Sequence, residues 1–241
     1  MTQAPAIQIK GQYDMAGERL FESIDLTLPA GQWSCVLGRS GVGKSTLLRL
    51  IAGLESAGTF TGHVVASDNR PLQGRVSFMT QSDLLLPWLS VLENIVLGAR
   101  LRTDIPDLTR AKVLLDRVGL GPWREKKPVA LSGGMRQRAA LARTLMEGRP
   151  IALLDEPFSA LDAGTRADMQ ELSAQMLTGK TVLMVTHDPA EAVRLGHQIV
   201  VLTQEGATRW HPPKTEPVRD QYAPETTACQ AALLAHLRGP Q

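Results

Sequence analysis

Apolar residues along this chain follow two rhythms, and the places where one gives way to the other outline a fold. Residues 7–9 and 24–28 are short apolar runs, and Pro29-Ala-Gly31 closes them with a turn signal. The segment Trp33-Ser-Cys-Val-Leu37 predicts a buried strand, and residues 63–65 and 76–79 predict two more. From residue 90 to about 145 the spacing becomes helical, over 91–101, 108–118 and 133–146. Beyond it, residues 151–154, 181–185 and 198–202 are short apolar runs separated by helical stretches. That alternation predicts parallel strands with helices on the sheet faces, an α/β class. After Gly206 the chain turns polar and proline-containing, and it ends on a predicted helix over 225–237. The chain carries neither an internal repeat nor a low-complexity tract.

The first strand-to-helix junction carries the clearest chemistry. Residues 38–45 read Gly-Arg-Ser-Gly-Val-Gly-Lys-Ser, matching G-x-x-x-x-G-K-[ST], a loop whose backbone N–H groups wrap nucleotide phosphates. The candidate contacts are Gly38, Arg39, Ser40, Gly41, Val42, Gly43, Lys44, Ser45 and Thr46. Lys44 is placed to reach the β- and γ-phosphates, and the Ser45 hydroxyl to bind Mg²⁺. A helix over 46–52, closed by Gly53, would aim its positive dipole end at the anion.

Composition narrows the class. The chain has 241 residues, 43% hydrophobic, with 26 basic against 24 acidic side chains and a net charge of +2, too balanced to suggest a nucleic-acid partner. Two cysteines, Cys35 and Cys229, suggest no disulfide framework and fit a reducing compartment. Cys35 is expected as a small buried hydrophobe. Residues 1–10 do not read as a secretory signal, and no run is long enough to span a bilayer. A membrane role would therefore need another chain for the spanning part.

Further segments specify the machine. Ile151-Ala-Leu-Leu-Asp-Glu156 is an apolar strand ending in two carboxylates. In that position Asp155 is the candidate Mg²⁺ ligand, and Glu156 is placed to polarise the attacking water. Leu131-Ser-Gly-Gly-Met-Arg-Gln-Arg138 opens a helix that Ser132 can cap, with Gly133 and Gly134 leaving N–H groups for a second anion. Here the chain resembles the ATP-binding subunit of ABC transporters, whose signature is Leu-Ser-Gly-Gly-Gln. The resemblance runs from about residue 7 to 202.

It implies a P-loop core with a mainly parallel sheet, an N-terminal antiparallel β subdomain and an inserted helical subdomain. The expected boundaries are 1–206 for the ATPase domain, about 82–147 for the helical part, and 207–241 for a short C-terminal extension. It also implies roles for single residues. Gln81 would contact Mg²⁺ and the water, Asp162 would lie in the Ser159-Ala-Leu-Asp segment that crosses a dimer interface, and His187 would contact the γ-phosphate. Tyr13 is the candidate for stacking on adenine, with Phe21 as competitor.

Met135 departs from the general signature, yet Ser-Gly-Gly-Met-Arg-Gln-Arg resembles importers for nitrate, sulfonates and taurine, and thiamine-precursor pyrimidines. Gln81-Ser-Asp-Leu-Leu-Leu-Pro-Trp88 is similar to that branch as well. Residues 84–89 read either as core packing or as the wall of a groove for a permease.

The resemblance thus implies an ATPase using ATP and Mg²⁺, acting as a homodimer with each γ-phosphate between Lys44 and the partner's Ser132. Permease chains, a solute-binding protein and a place on the cytoplasmic membrane face complete the expectation. A soluble cassette ATPase acting on DNA or ribosomes, and a nucleotide switch without turnover, are the alternatives. The first usually carries tandem cassettes, coiled coils or zinc modules, none of which is read here. Glu156 and His187 speak against the second.

Overall fold

Nine strands and eight helices account for most of the described chain, residues 4–15, 18–54 and 57–238 of a computed structural model. In chain order they are β1 (Ile7–Met15), β2 (Glu18–Leu28), β3 (Trp33–Leu37), α1 (Lys44–Ala52), β4 (Gly58–Ala66) and β5 (Val76–Met79). Then come α2 (Val91–Ile95), α3 (Leu97–Leu101), α4 (Leu108–Arg117), α5 (Gly133–Met146), β6 (Ile151–Asp155) and α6 (Ala163–Met176). Last are β7 (Thr181–Val185), α7 (Pro189–Leu195), β8 (Gln198–Leu202), β9 (Ala207–Trp210) and α8 (Pro224–Arg238). The chain divides into two units: Met1–Val76 with Pro150–Asp155 and Thr178–Gln241, and Ser77–Arg149 with Glu156–Leu177.

The first unit holds both sheets. One is antiparallel, in the order β2-β1-β4. In the other, the strands of this unit run β6-β7-β3-β8-β9, parallel except for the last pair. Every residue of β3, β6 and β7 is buried, as expected for strands covered on both faces. In this core Thr181 donates its hydroxyl to the Pro5 carbonyl at 2.7 Å, and the Trp33 N–H donates to His197 Nδ1 at 3.1 Å.

Of residues 207–241, expected as a short extension, the described part to residue 238 supplies structure to this unit. Strand β9 adds to β8, with Ile199 opposite Trp210 and Leu202 opposite Ala207. Helix α8 packs on α7. Between them Arg219 is almost fully buried. Its guanidinium donates to the carbonyls of Val193 and Gly196, each at 2.7 Å, and of Pro213 at 3.0 Å. It thereby satisfies carbonyls that α7 leaves open at its C-terminal end.

The second unit is helical and includes α6 beyond the expected 82–147 span. The predicted helix over 91–101 is two short helices that meet at Val96, where φ is −93° and ψ 7°. Helix α2 starts from a reciprocal cap: Ser90 Oγ accepts from the Glu93 N–H at 3.2 Å, and Glu93 Oε2 accepts from the Ser90 N–H at 2.8 Å.

Cys35 is fully buried in β3, and burial, with Glu191 adding and Arg219 opposing, pushes its thiol far above the ordinary range. Cys229 is half-buried in α8. Since the thiolate is the reactive form, a maleimide applied to the native protein should modify Cys229 and spare Cys35, and both should react in denaturant. Mass spectrometry of labelled peptides reads the outcome.

Candidate active site

The phosphate loop joins β3 to α1 in the first unit. Strand β3 is flanked by β7 and β8, with Val36 opposite both Val185 and Val200. The loop therefore leaves from a strand that cannot shift without disturbing two neighbours. Gly41 has φ +82° and Gly43 φ +100°, a region that side chains with a Cβ avoid. A Cβ on Gly43 would also come within 2.8 Å of Leu20 Cδ2, whereas one on Gly41 would meet nothing within 4 Å. Gly43 stands at the N-cap of α1 and gives no side-chain bond to the first turn. The helix thus presents uncapped N–H donors and its positive end toward the loop, which suits a phosphate. Lys44 Nζ donates to the carbonyls of Gly38 and Arg39 at 2.8 and 3.0 Å, so its ammonium lies along the loop.

Two further candidates end strands at the same sheet edge. Val185 pairs with Asp155 as well as with Val36, so β3, β6 and β7 finish together. Asp155, 5% exposed, closes β6, and His187 is exposed just past β7. The turn after β7 is held by Thr186, whose hydroxyl donates to Glu191 Oε2 at 2.6 Å and accepts from the Asp188 N–H at 3.0 Å. Phosphate loop, Asp155 and His187 thus share the carboxyl edge of a parallel sheet, where open α/β folds bind ligands. The loop also borders a cleft of about 600 Å³, whose other walls include residues 201–205, His236 and Leu237. Contact of the C-terminal helix with that cleft has no signal in the sequence.

Apart from Tyr13, the remaining candidates lie in the second unit. Gln81 Nε2 donates to Glu156 Oε2 at 3.3 Å, bringing together two residues 75 positions apart. Ser132 caps α5, its Oγ accepting from the Met135 N–H at 3.3 Å. Gly134 lies close to the backbone of Ala160, whose carbonyl would be 3.1 Å from an added Cβ. Asp162 caps α6 by accepting from the Thr165 N–H at 3.0 Å, and that bond holds its carboxyl below the usual range.

Sequence reasoning passed over the side chains that hold residues 81–88. Arg136 Nε pairs with Asp83 Oδ2 at 3.1 Å. Arg143 donates to the carbonyls of Asp83 and Leu84 at 2.6 and 2.8 Å. Asn94, fully buried, accepts from the Leu86 N–H at 2.7 Å and donates to the carbonyls of Leu86 and Ser90 at 3.2 and 3.0 Å. A polar residue inside a helical apolar stripe was the available signal for Asn94. Of residues 84–89, Leu85 is 8% exposed and packs inside, whereas Leu84 and Trp88 are 59% and 66% exposed.

The aromatic expectation needs correction. Tyr13 is wholly buried in β1, opposite Phe21 on β2 and Phe60 on β4, its ring 5.7 Å from that of Phe21. Phe21 is equally buried. Neither ring offers a face to adenine, because both are needed to fill the core of the antiparallel sheet.

The loop geometry generates a prediction. Gly43→Ala forces a Cβ into a left-handed conformation, costing roughly 1–2 kcal/mol, and should weaken nucleotide binding about tenfold. Titration with a fluorescent ATP analogue checks it, and unchanged affinity would contradict the role given to this glycine.

Comparison with known proteins agrees with this geometry. The ABC transporter family model matches residues 21–159. An uncharacterized ABC transporter ATP-binding protein of Haemophilus influenzae is 47% identical over 188 residues, 77% of each chain. The aliphatic sulfonates import ATP-binding protein SsuB of Rhodopseudomonas palustris is 41% identical over 240 residues, covering 98% of this chain and 84% of its own. The SsuB 2 protein of Agrobacterium fabrum is 47% identical over 193 residues, 78% of this chain and 72% of its own. Among solved structures, the ATP-binding cassette MJ0796, a dimer in a post-hydrolysis state with ADP and Pi, superposes with a TM-score of 0.72 at 29% identity, over 89% of this chain and 99% of its own. With the phosphate loop, the strand-end carboxylates and the Ser132-Gly-Gly helix start in place, this chain belongs to the ABC transporter family as an ATP-binding, ATP-hydrolysing subunit.

Proposed function

We propose that the chain powers an importer for aliphatic sulfonates, working as a homodimer beneath membrane permease chains that a solute-binding protein supplies. The observation that carries this reading is the uncapped start of α1 behind the glycines of residues 38–43, at the sheet edge that also holds Asp155 and His187. The solute class comes from the relatives named above.

In this reading Lys44 and the N–H groups of the loop bind and orient the phosphates of ATP, so that charge spreading over the phosphoryl oxygens meets fixed dipoles. Ser45, Gln81 and Asp155 offer the hydroxyl, amide and carboxylate oxygens that a hard Mg²⁺ ion prefers. When bound, the ion would neutralise phosphate charge. Glu156 orients the attacking water and takes its proton, worth about 10²–10⁴-fold for a general base. Gln81 holds the Glu156 carboxylate by the hydrogen bond described above. His187 contacts the γ-phosphate, and Ser132, Gly133 and Gly134 offer a second anion cradle to the nucleotide of the partner subunit. The dimer closes on ATP and reopens once the bridging phosphate is cleaved.

Two features favour a membrane partner. No helix among the described residues is long and apolar enough to cross a bilayer, so transport requires other chains. The exposed Leu84 and Trp88 offer apolar side chains suited to a permease helix on the cytoplasmic face.

Glu156→Gln should slow hydrolysis by at least about 10²-fold while ATP binding persists and a nucleotide-bound dimer accumulates on size exclusion. Near-normal hydrolysis would refute the role of Glu156, and a protein that stays monomeric with its permease present would refute the dimer. In vesicles carrying the permease, binding protein loaded with an alkanesulfonate should stimulate hydrolysis and drive uptake of labelled sulfonate. Stimulation by nitrate or a pyrimidine instead would reassign the solute.

A further inference from the structure

Glu156 sits in an unfavourable backbone conformation. Its φ is +49°, the left-handed region that residues with a Cβ avoid, and it lies directly after the last residue of β6. Such a conformation persists only where neighbouring groups hold it. Among these is the side chain of Gln137, on the second turn of α5, 6% exposed. Its amide nitrogen donates to the Glu156 carbonyl at 2.9 Å and to Ser159 Oγ at 3.1 Å. Its amide oxygen accepts from the Ala160 N–H at 2.7 Å. Ser159 closes the arrangement, its hydroxyl donating to the same Glu156 carbonyl at 3.1 Å. One carboxamide thus grips both ends of the turn from Glu156 to Ala160, using donor and acceptor faces together.

The choice of residue follows from that task. Leucine of similar size would leave the Ala160 N–H without this acceptor, and glutamate would set a second acceptor against the Glu156 carbonyl. Only a carboxamide supplies both functions in one plane. Helix α5 begins at Ser132, so the helix that presents the signature serine also holds the backbone of the catalytic carboxylate.

We propose that Gln137 is a positioning residue for ATP hydrolysis, fixing the left-handed turn at Glu156 so that its carboxylate keeps its aim at the water. The inference rests on the reading of Glu156 as general base, and it extends that reading to a residue that touches neither nucleotide nor water. It also ties the Ser132 end of α5 to Glu156 of the same chain through one side chain.

The test uses the full chain under single-turnover conditions, with the protein in excess over Mg-ATP and well above its dissociation constant. Gln137→Leu should lower the hydrolysis rate 10- to 100-fold while the dissociation constant for ATP changes by less than threefold. Gln137→Glu retains size and one acceptor, and its buried carboxyl can donate to the Glu156 carbonyl only when protonated. Its rate should therefore fall progressively below wild type as pH rises and recover toward wild type as pH is lowered. A merely structural role would give a deficit independent of pH, with ATP binding weakened in parallel, and that result overturns the proposal. So would full activity of both variants. Should Gln137→Leu fail to fold, the pH profile of Gln137→Glu decides alone. Glu156→Gln runs alongside as the separating control: if it is inactive while the Gln137 variants are normal, only the positioning role fails. If it hydrolyses ATP normally, the general-base reading fails first.

Discussion

The organisation of this protein depends on the start of α1, which, like that of the short α3, no side chain caps. Helices α2, α4, α5, α6 and α7 all begin at a residue whose side chain bonds the first turn: Ser90, Asp107, Ser132, Asp162 and Asp188. Helix α1 begins at Gly43 and has no such bond. A helix start without a side-chain cap suits an anion, and the rest of the first unit keeps it in place. Strand β3 is locked between β7 and β8, and the left-handed glycines let the chain turn sharply from strand to helix. Aligned strand ends bring Asp155 and His187 to the same edge. His187 is exposed there, whereas Asp155 is almost fully buried.

The second unit is organised by α5. Its N-terminus carries the signature serine, Arg136 and Arg143 hold the segment that follows Gln81, and Gln137 holds the turn after Glu156. Gln137 is buried and the two arginines are half-buried, and in a buried position an unmet donor or acceptor costs about 1–3 kcal/mol. Burial lowers the Arg143 pKa, with Asp83 and Glu147 opposing that shift, and the two carbonyls it meets replace lost water. A network satisfied in this way favours one arrangement of the backbone over alternatives of similar compactness.

The C-terminal segment contributes more than its composition suggests. Arg219 binds the last carbonyls of α7, β9 completes the edge of the parallel sheet, and α8 carries His236 and Leu237 to the cleft beside the phosphate loop. The His236 ring lies 5.1 Å from that of Trp210, which ties the end of α8 to β9. A buried arginine with three carbonyl partners is a strong anchor, since its fork geometry suits several acceptors at once.

The sequence by itself determined the elements whose period is set by burial on fixed faces. Strands β3, β7 and β8 and helix α5 match the apolar runs read from the chain, and β6 extends its run by one residue, to Asp155. The phosphate loop, the paired carboxylates and the signature segment were legible too, because backbone approach and charge demand particular residue types at particular spacings. Only the tertiary structure decided the rest. Strands β1, β2 and β4 run well beyond their apolar cores, since pairing with neighbours extends polar stretches that have no strand signal alone. Strand β9 exists because β8 offers it an edge. Tyr13 became a core residue rather than a ligand platform because its neighbours on β2 and β4 enclose it. Gln137 has its role only because folding brings a helix side chain to a turn some twenty residues away, where its two faces meet a carbonyl and an N–H that local sequence could not have paired.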